Sequence, residues 1–240
     1  MRMHIKYSST WSRSSVSARG EEKVILLIEW YAGRLNSAKA RPAKMVSKEV
    51  QFYVWPERGT KILAVYGAQP QMEKNGALLL PVGQLLEGEK HCLAFEVSLD
   101  AQAAGIHQIM AVQWRYKNLL KDNFKHQPIE AIHLHFTHHL GLLGQQENFY
   151  VHKHALLLQS PMKLKKAMLL CEQGCNDQGE WLLRRQGDEM LLLAIREQDK
   201  RLMQEAELFY RLSEHCRRMN RSDIFEWNAM LEPMSFQAIT

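Results

Sequence analysis

The sequence predicts an α+β protein, with an antiparallel β-sandwich followed by a C-terminal helical hairpin or bundle. Three observations predict it. Up to about residue 148 apolar and polar residues alternate, the period of strands with one buried face. Beyond that point apolar residues recur three and four apart, the period of helices. Turn-forming residues punctuate the first part at intervals of roughly 10–20 residues, as in all-β architectures.

The elements follow in order. Residues 1–22 are expected to be a disordered basic tail, because MRMHIKYSSTWSRSSVSARG is rich in Ser and Arg and holds no acid. A transit peptide has the same composition, but the segment lacks the apolar stretch and cleavage site of a secretory signal. Residues 23–45 are assigned to helix or linker, and 46–147 to the sandwich. In EVQFYVW, Val50, Phe52 and Val54 share one face. TKILAVYG and ALLLPV follow. In HCLAFEVSL the face is Leu93, Phe95, Val97 and Leu99; in QIMAVQWRY it is Met110, Val112, Trp114 and Tyr116. The last strand, EAIHLHFTHHL, sets Ile132, Leu134 and Phe136 against histidines. Pro56 to Gly59, Gln69-Pro70 and Lys74-Asn75-Gly76 are the breaks. Asn75-Gly76 predicts a hairpin turn with positive φ at both positions.

Residues 148–240 are expected to be helical. Ser160-Pro161 reads as an N-cap and first-turn pair. Leu164, Ala167, Met168 and Cys171 then share a face, with Gly174 as the C-cap. Asn176 or Asp177 caps a second helix through Trp181, Leu182 and Leu183 to Leu192, Leu193 and Ile195. A third runs from about Asp199 to Arg217 with the stripe Leu202, Met203, Ala206, Phe209, Tyr210, Ser213 and Cys216. Short loops between them predict antiparallel neighbours.

Charge narrows the function. The chain carries a net charge of +5, but Arg2, Lys6, Arg13 and Arg19 supply four of those charges, and the rest is nearly neutral. Nucleic-acid binders concentrate positive charge on a folded face, so nucleic acid is not an expected partner. No apolar run approaches the ~20 residues of a membrane span. The four cysteines, Cys92, Cys171, Cys175 and Cys216, are too sparse for a disulfide scaffold and favour a reducing, cytoplasmic setting.

Candidate chemistry centres on IHLHFTHH. On a strand, His133, His135 and His139 share a face, and neighbours two apart lie ~7 Å apart, within reach of one zinc or copper ion. A catalytic zinc needs three protein ligands, so His139, His152 or His154 would have to complete the set. Alternation alone also explains the spacing, as the solvent side of an edge strand. A third reading is pH response, since imidazoles with pKa ~6.5 repel one another as they charge. Cys171, Cys175, His215 and Cys216 form a poorer metal set. Adjacent helical residues point ~100° apart, and Cys171 and Cys216 sit on apolar faces, where Cys acts as a small hydrophobe. WRYKNLLKDNFKH, Trp114 to His126, combines aromatic and basic residues as single-strand binders do, but Trp114 and Tyr116 lie on the apolar face. Nucleophile elbows, metalloprotease helices and phosphate loops are absent from the sequence. No cofactor and no catalytic residue are assigned.

Three stretches carry a family resemblance: KEVQFYVWPERGTKILAVYG; GALLLPVGQLLEGEKHCLAFEVSLDAQAAGIHQIMAVQWRYKN; and KKAMLLCEQGCNDQGEWLLRRQGDEMLLLAIREQDKRLMQEAELFYRLSEHC. Their order resembles the C-terminal region of bacterial proteins with a von Willebrand factor type A domain, where a β-sandwich and a helical segment follow that domain. The likeness spans about residues 24–217. It implies that EEKVILLIEWYAGRLNSAKA is the last helix of the type A domain and that the domain itself is largely missing, since Asp-x-Ser-x-Ser, its Mg²⁺ motif, does not occur here. It also implies a continuous helix where Pro161 stands. The resulting expectation is a non-enzymatic protein-interaction or scaffold module, with a protein partner or a second copy docking on the apolar side of helix 199–217. Its alternatives are metal binding at His133, His135 and His139, and weak nucleic-acid binding.

Overall fold

The computed structural model describes residues 5–32, 45–86, 89–117, 123–144 and 147–218. These fall into two compact units, one ending at Val151 and the other beginning at His152. The fold class is α+β, as the two periodicities require.

The first unit holds β1 (Ile5–Trp11), β2 (Ser15–Ser17), β3 (Glu22–Ala32), β4 (Met45–Pro56), β5 (Thr60–Tyr66), β6 (Gln71–Met72), β7 (Leu78–Leu86), β8 (Lys90–Leu99), β9 (Gly105–Lys117), β10 (Phe124–His126), β11 (Glu130–Thr137) and the short helix α1 (Leu140–Leu143). One sheet has the order β1-β3-β8-β5; the other runs β2-β11-β9-β4-β7-β6, with β10 beside β9. Leu26, Ile28 and Trp30 of β3 and Leu93, Phe95 and Val97 of β8 supply one inner face. Val50, Phe52 and Val54 of β4, Val112 and Trp114 of β9, and Ile132, Leu134 and Phe136 of β11 supply the other. Rings bridge the two faces: Phe52 and Phe95 lie 6.3 Å apart and Trp30 and Trp114 4.6 Å apart, centroid to centroid. Each such buried side chain contributes about 1.5–3 kcal/mol by leaving water.

Three expectations change in this unit. The basic tail is not disordered over its described part. β1 pairs along β3, and β2 lies parallel to β11, an exception to the antiparallel sandwich. Composition hid a strand alternation: Tyr7 and Trp11 pack on the core while Lys6 and Ser8 are exposed, and Val16 and Ala18 are buried. Arg13 spends its charge on Glu147, at 2.5 and 2.8 Å, and on Glu22 at 3.4 Å. Residues 23–32, the described start of the segment expected as helix or linker, lie in the strand β3, inside its sheet. Between Val24 and Ala32 eight of nine positions are apolar or aromatic, broken only by Glu29, which suits a strand covered on both sides. The hairpin at Asn75-Gly76 is present, but only Gly76 has positive φ (79°). Gly76 N–H donates to Glu73 O at 3.0 Å and Asn75 Oδ1 accepts from Ala77 N–H at 3.0 Å.

The helices are α2 (Phe149–Glu172), α3 (Asn176–Glu197) and α4 (Lys200–Arg218). The Ser160-Pro161 pair does not start a helix; α2 runs through it. Proline offers no N–H to the carbonyl four residues back, that of Leu157, and crowds it. Ser160 Oγ and the buried Gln186 Nε2 both donate to Leu156 O, at 3.0 and 3.1 Å. Lys163 Nζ in turn donates to Gln186 Oε1. At Gly174 (φ 78°) the helix closes as expected: Gly174 N–H donates to Cys171 O at 3.0 Å and Cys175 N–H to Leu170 O at 2.8 Å. The capping position of α3 is Cys175, without a side-chain bond, rather than Asn176 or Asp177. Contacts between residues 187 and 210 and between 180 and 217 set α3 antiparallel to α4.

Candidate interaction surface

In the first unit, Glu29, Lys90 and Tyr150 form one hydrogen-bonded group. Glu29, 9% exposed, accepts from Tyr150 Oη and pairs with Lys90 Nζ at 2.6 Å, while Lys90 Nζ also reaches Tyr150 Oη at 2.7 Å. Burial and the neighbouring carboxylate push the Tyr150 phenol above its usual value, so it stays protonated. Burial opposes the Lys90 charge, but Glu29 and Tyr150 outweigh it and raise its pKa. Beside them, burial, reinforced by Glu29, drives the Cys92 thiol up to about 12. Cys92 is therefore no nucleophile at neutral pH.

The histidines of β11 divide as alternation requires. Ile132, Leu134 and Phe136 are buried, His133 is exposed and His135 half-buried. His135 Nδ1 sits 3.0 Å from the buried Ser15 Oγ on β2. His139 is exposed and occupies the capping position of α1. Among the described residues no group of three His, Cys, Asp or Glu side chains is placed to hold a metal ion. His154 is 5% exposed, within α2. The aromatic candidates for base stacking are core residues: Trp114 is 2% and Tyr116 4% exposed. Arg115 lies over the Phe124 ring at 3.9 Å, and Lys125 is exposed.

In the helical unit, the apolar side of α4 is not available for docking, contrary to expectation. Leu202, Ala206, Phe209, Leu212, Ser213 and Cys216 are all buried. Two glycines of α3 let α4 approach. A Cβ on Gly187 would lie 3.3 Å from Tyr210 and 3.4 Å from Ala206 O. Near that contact Tyr210 Oη donates to Asp188 at 2.7 Å, and burial followed by Asp188 pushes its phenol up to about 12. A cleft of about 430 Å³ beside Tyr210 is lined by Glu180, Arg184, Ser213, Glu214, Arg217 and Arg218. Its charges largely cancel, Glu180 lying 3.5 Å from Arg184 and 3.8 Å from Arg217.

The most exposed large apolar side chains of the helical unit, Trp181, Leu192 and Ile195, lie on α3, while α2 also exposes Met162 and Leu169. The inward side of α3 is Gly179, Leu183, Gln186, Gly187, Met190, Leu193 and Ala194. At ~100° per residue, Trp181, Leu192 and Ile195 lie together on the opposite side. They are 60%, 71% and 58% exposed. Arg185 covers part of this stripe, its guanidinium 5.4 Å from the Trp181 ring. Reading α3 only as an apolar run merged the two sides. Angular bookkeeping separates them, because Leu192 and Leu193 are adjacent in sequence but about 100° apart on the helix.

Among solved structures, the chain is similar to a von Willebrand factor type A protein from Catenulispora acidiphila, at 15% identity, TM-score 0.47, over 66% of this chain and 39% of that one. It is also similar to the full-length major pilin SpaD from Corynebacterium diphtheriae, at 10% identity and TM-score 0.39, over 55% of this chain and 34% of that one. The chain thus spans about two fifths or less of the length of these proteins. No protein-family model matches it, and no curated protein matches it.

Proposed function

We propose that the chain is a non-enzymatic protein-interaction module whose helical unit docks a second copy of itself through the outer face of α3. The observation that carries this reading is the row of Trp181, Leu192 and Ile195, all more than half exposed on a helix whose other side is fully packed. The face carries Trp181 with Arg185 against its ring at one end and Leu192 and Ile195 about three turns further on, with Asp188 between them; aromatic and Arg anchors are the residues that dominate binding at interface centres. A face that pairs with its own copy closes as a two-fold dimer. The resemblance to regions that follow a type A domain adds to this reading a scaffold role beside such a domain.

The reading is tested by placing a photo-cross-linking amino acid at position 192 of the full chain and irradiating the purified protein. Covalent dimers are expected, with cross-links mapping to α3 of the second copy. Irradiated protein that stays entirely monomeric would overturn the self-docking reading.

A further inference from the structure

Cys171, near the end of α2, and Cys216, near the end of α4, form a disulfide across 45 residues of sequence, with their Cα atoms 6.6 Å apart. Both are buried, at 6% and 0% exposure. The space for the pair is made by the start of α3: a Cβ on Gly179 would lie 2.7 Å from the Cys216 sulfur and 2.9 Å from that of Cys171. All three helices therefore meet at this bond. The other two cysteines, Cys92 and Cys175, are free.

We propose that Cys171 and Cys216 are a reversible thiol–disulfide site that clasps the last turn of α4 to the end of α2. The site is independent of the α3 outer face and stands whether or not that face docks a second copy. Three features support reversibility rather than a purely fixed staple. The rest of the α4 stripe, Leu202, Ala206, Phe209 and Leu212, is itself buried and lies from one to about four turns before the bond, so loss of the bond frees one end and not the whole helix. Helix ends open locally at far lower cost than whole units, which admits a small reductant to a buried bond. Reduced Cys171 and Cys216 are also accommodated chemically, because a thiol on an apolar helix face behaves as a small hydrophobe.

Exchange with a dithiol reductant is balanced as follows. A reductant thiolate attacks one protein sulfur, breaks the S–S bond and releases the other cysteine as a thiolate. The second thiol of the reductant then displaces the mixed disulfide and leaves as a cyclic disulfide. Two electrons pass to the protein, and each cysteine ends as a protonated thiol. Glutathione disulfide, taking the same two electrons back as it becomes two thiols, reverses the change.

The test uses the full chain treated with glutathione disulfide or with dithiothreitol, then alkylated, digested and mapped by mass spectrometry. The oxidised sample is expected to give a peptide joining Cys171 to Cys216 that disappears on reduction and returns on reoxidation, unaltered in a Cys92→Ser/Cys175→Ser variant. Hydrogen exchange over residues 209–218 is expected to quicken at least tenfold on reduction, while β3 and β8 are unchanged. Alkylation of both Cys171 and Cys216 in the oxidised sample, or pairing of either with Cys175, would overturn the proposal. So would exchange in 209–218 that ignores the redox state.

Discussion

At Gly179 one added carbon would meet two sulfur atoms and, at 3.2 Å, the carbonyl of Ala167. Alanine is intrinsically the better helix former by about 1 kcal/mol, so substitution on an open helix face stabilises. Here crowding wins, because none of the three neighbours is the free end of a flexible chain. Gly179→Ala is expected to lower stability by about 1–3 kcal/mol in denaturant melts, in the range of overpacked cores. Gln198 shows the opposite situation. It ends α3 with φ 55°, a left-handed conformation that costs side-chain-bearing residues about 1–2 kcal/mol, and its N–H and that of Asp199 close the helix on Ile195 O and Ala194 O. Gln198→Gly keeps those bonds and relieves the strain, so it is expected to raise stability by about 0.5–1 kcal/mol. An unchanged or lower melting temperature for this variant would contradict the strain argument. Neither residue announces itself in the sequence. The crowding at Gly179 comes from residues 167, 171 and 216, and Gln is not a residue that predicts positive φ.

At the scale of elements, strand faces were legible because alternation is local, as in β4, β8, β9 and β11. What alternation cannot supply is the partner of each strand. The parallel pairing of β2 with β11 joins residues 15–17 to 135–137, and no local pattern links them. β1 and β2 were missed because Ser and Arg fill their exposed positions and mimic the composition of disorder. Helix α2 was split in sequence because Pro161 signals a boundary; the side-chain bond to Leu156 O in the adjoining turn comes from Gln186, which lies on another helix. The start of α4 was legible within a residue: Asp199 Oδ1 accepts from Leu202 N–H at 2.9 Å, the N-cap bond, and pairs with Lys153. Burial alone would push the Asp199 carboxyl up, but Lys153 and the N–H groups of Leu202 and Arg201 outweigh it and hold it below the usual value. A depressed folded pKa gives stability that is fully present above the unfolded value, ~3.9, and is lost as pH falls through the folded one. Wild type is therefore expected to lose helical stability on acidification below about pH 4, and Asp199→Asn to lose less over the same interval. Asp199→Ala, which deletes the cap outright, is expected to cost about 0.5–2 kcal/mol at neutral pH. Urea melts followed at 222 nm across pH check both, and equal acid sensitivity in wild type and Asp199→Asn would contradict the assignment.

For the whole molecule, the fold class was legible, because alternation gives way to helical spacing along the chain and strands are followed by C-terminal helices. The candidate surface was less legible. An amphipathic helix read alone has an apolar side that looks free, and the side of α4 named from sequence is the one its neighbours bury. The exposed stripe lies on α3, whose apolar residues occur on both sides and so show no single face until packing assigns one. The central claim is that this stripe joins two copies. Sedimentation equilibrium over a wide concentration range, on the full chain and on Trp181→Asp/Leu192→Asp, tests it most directly. The account predicts a monomer–dimer equilibrium for wild type and a monomer of unchanged helicity for the double variant. A wild-type chain that remains monomeric at every concentration, or a variant that associates equally well, would contradict it.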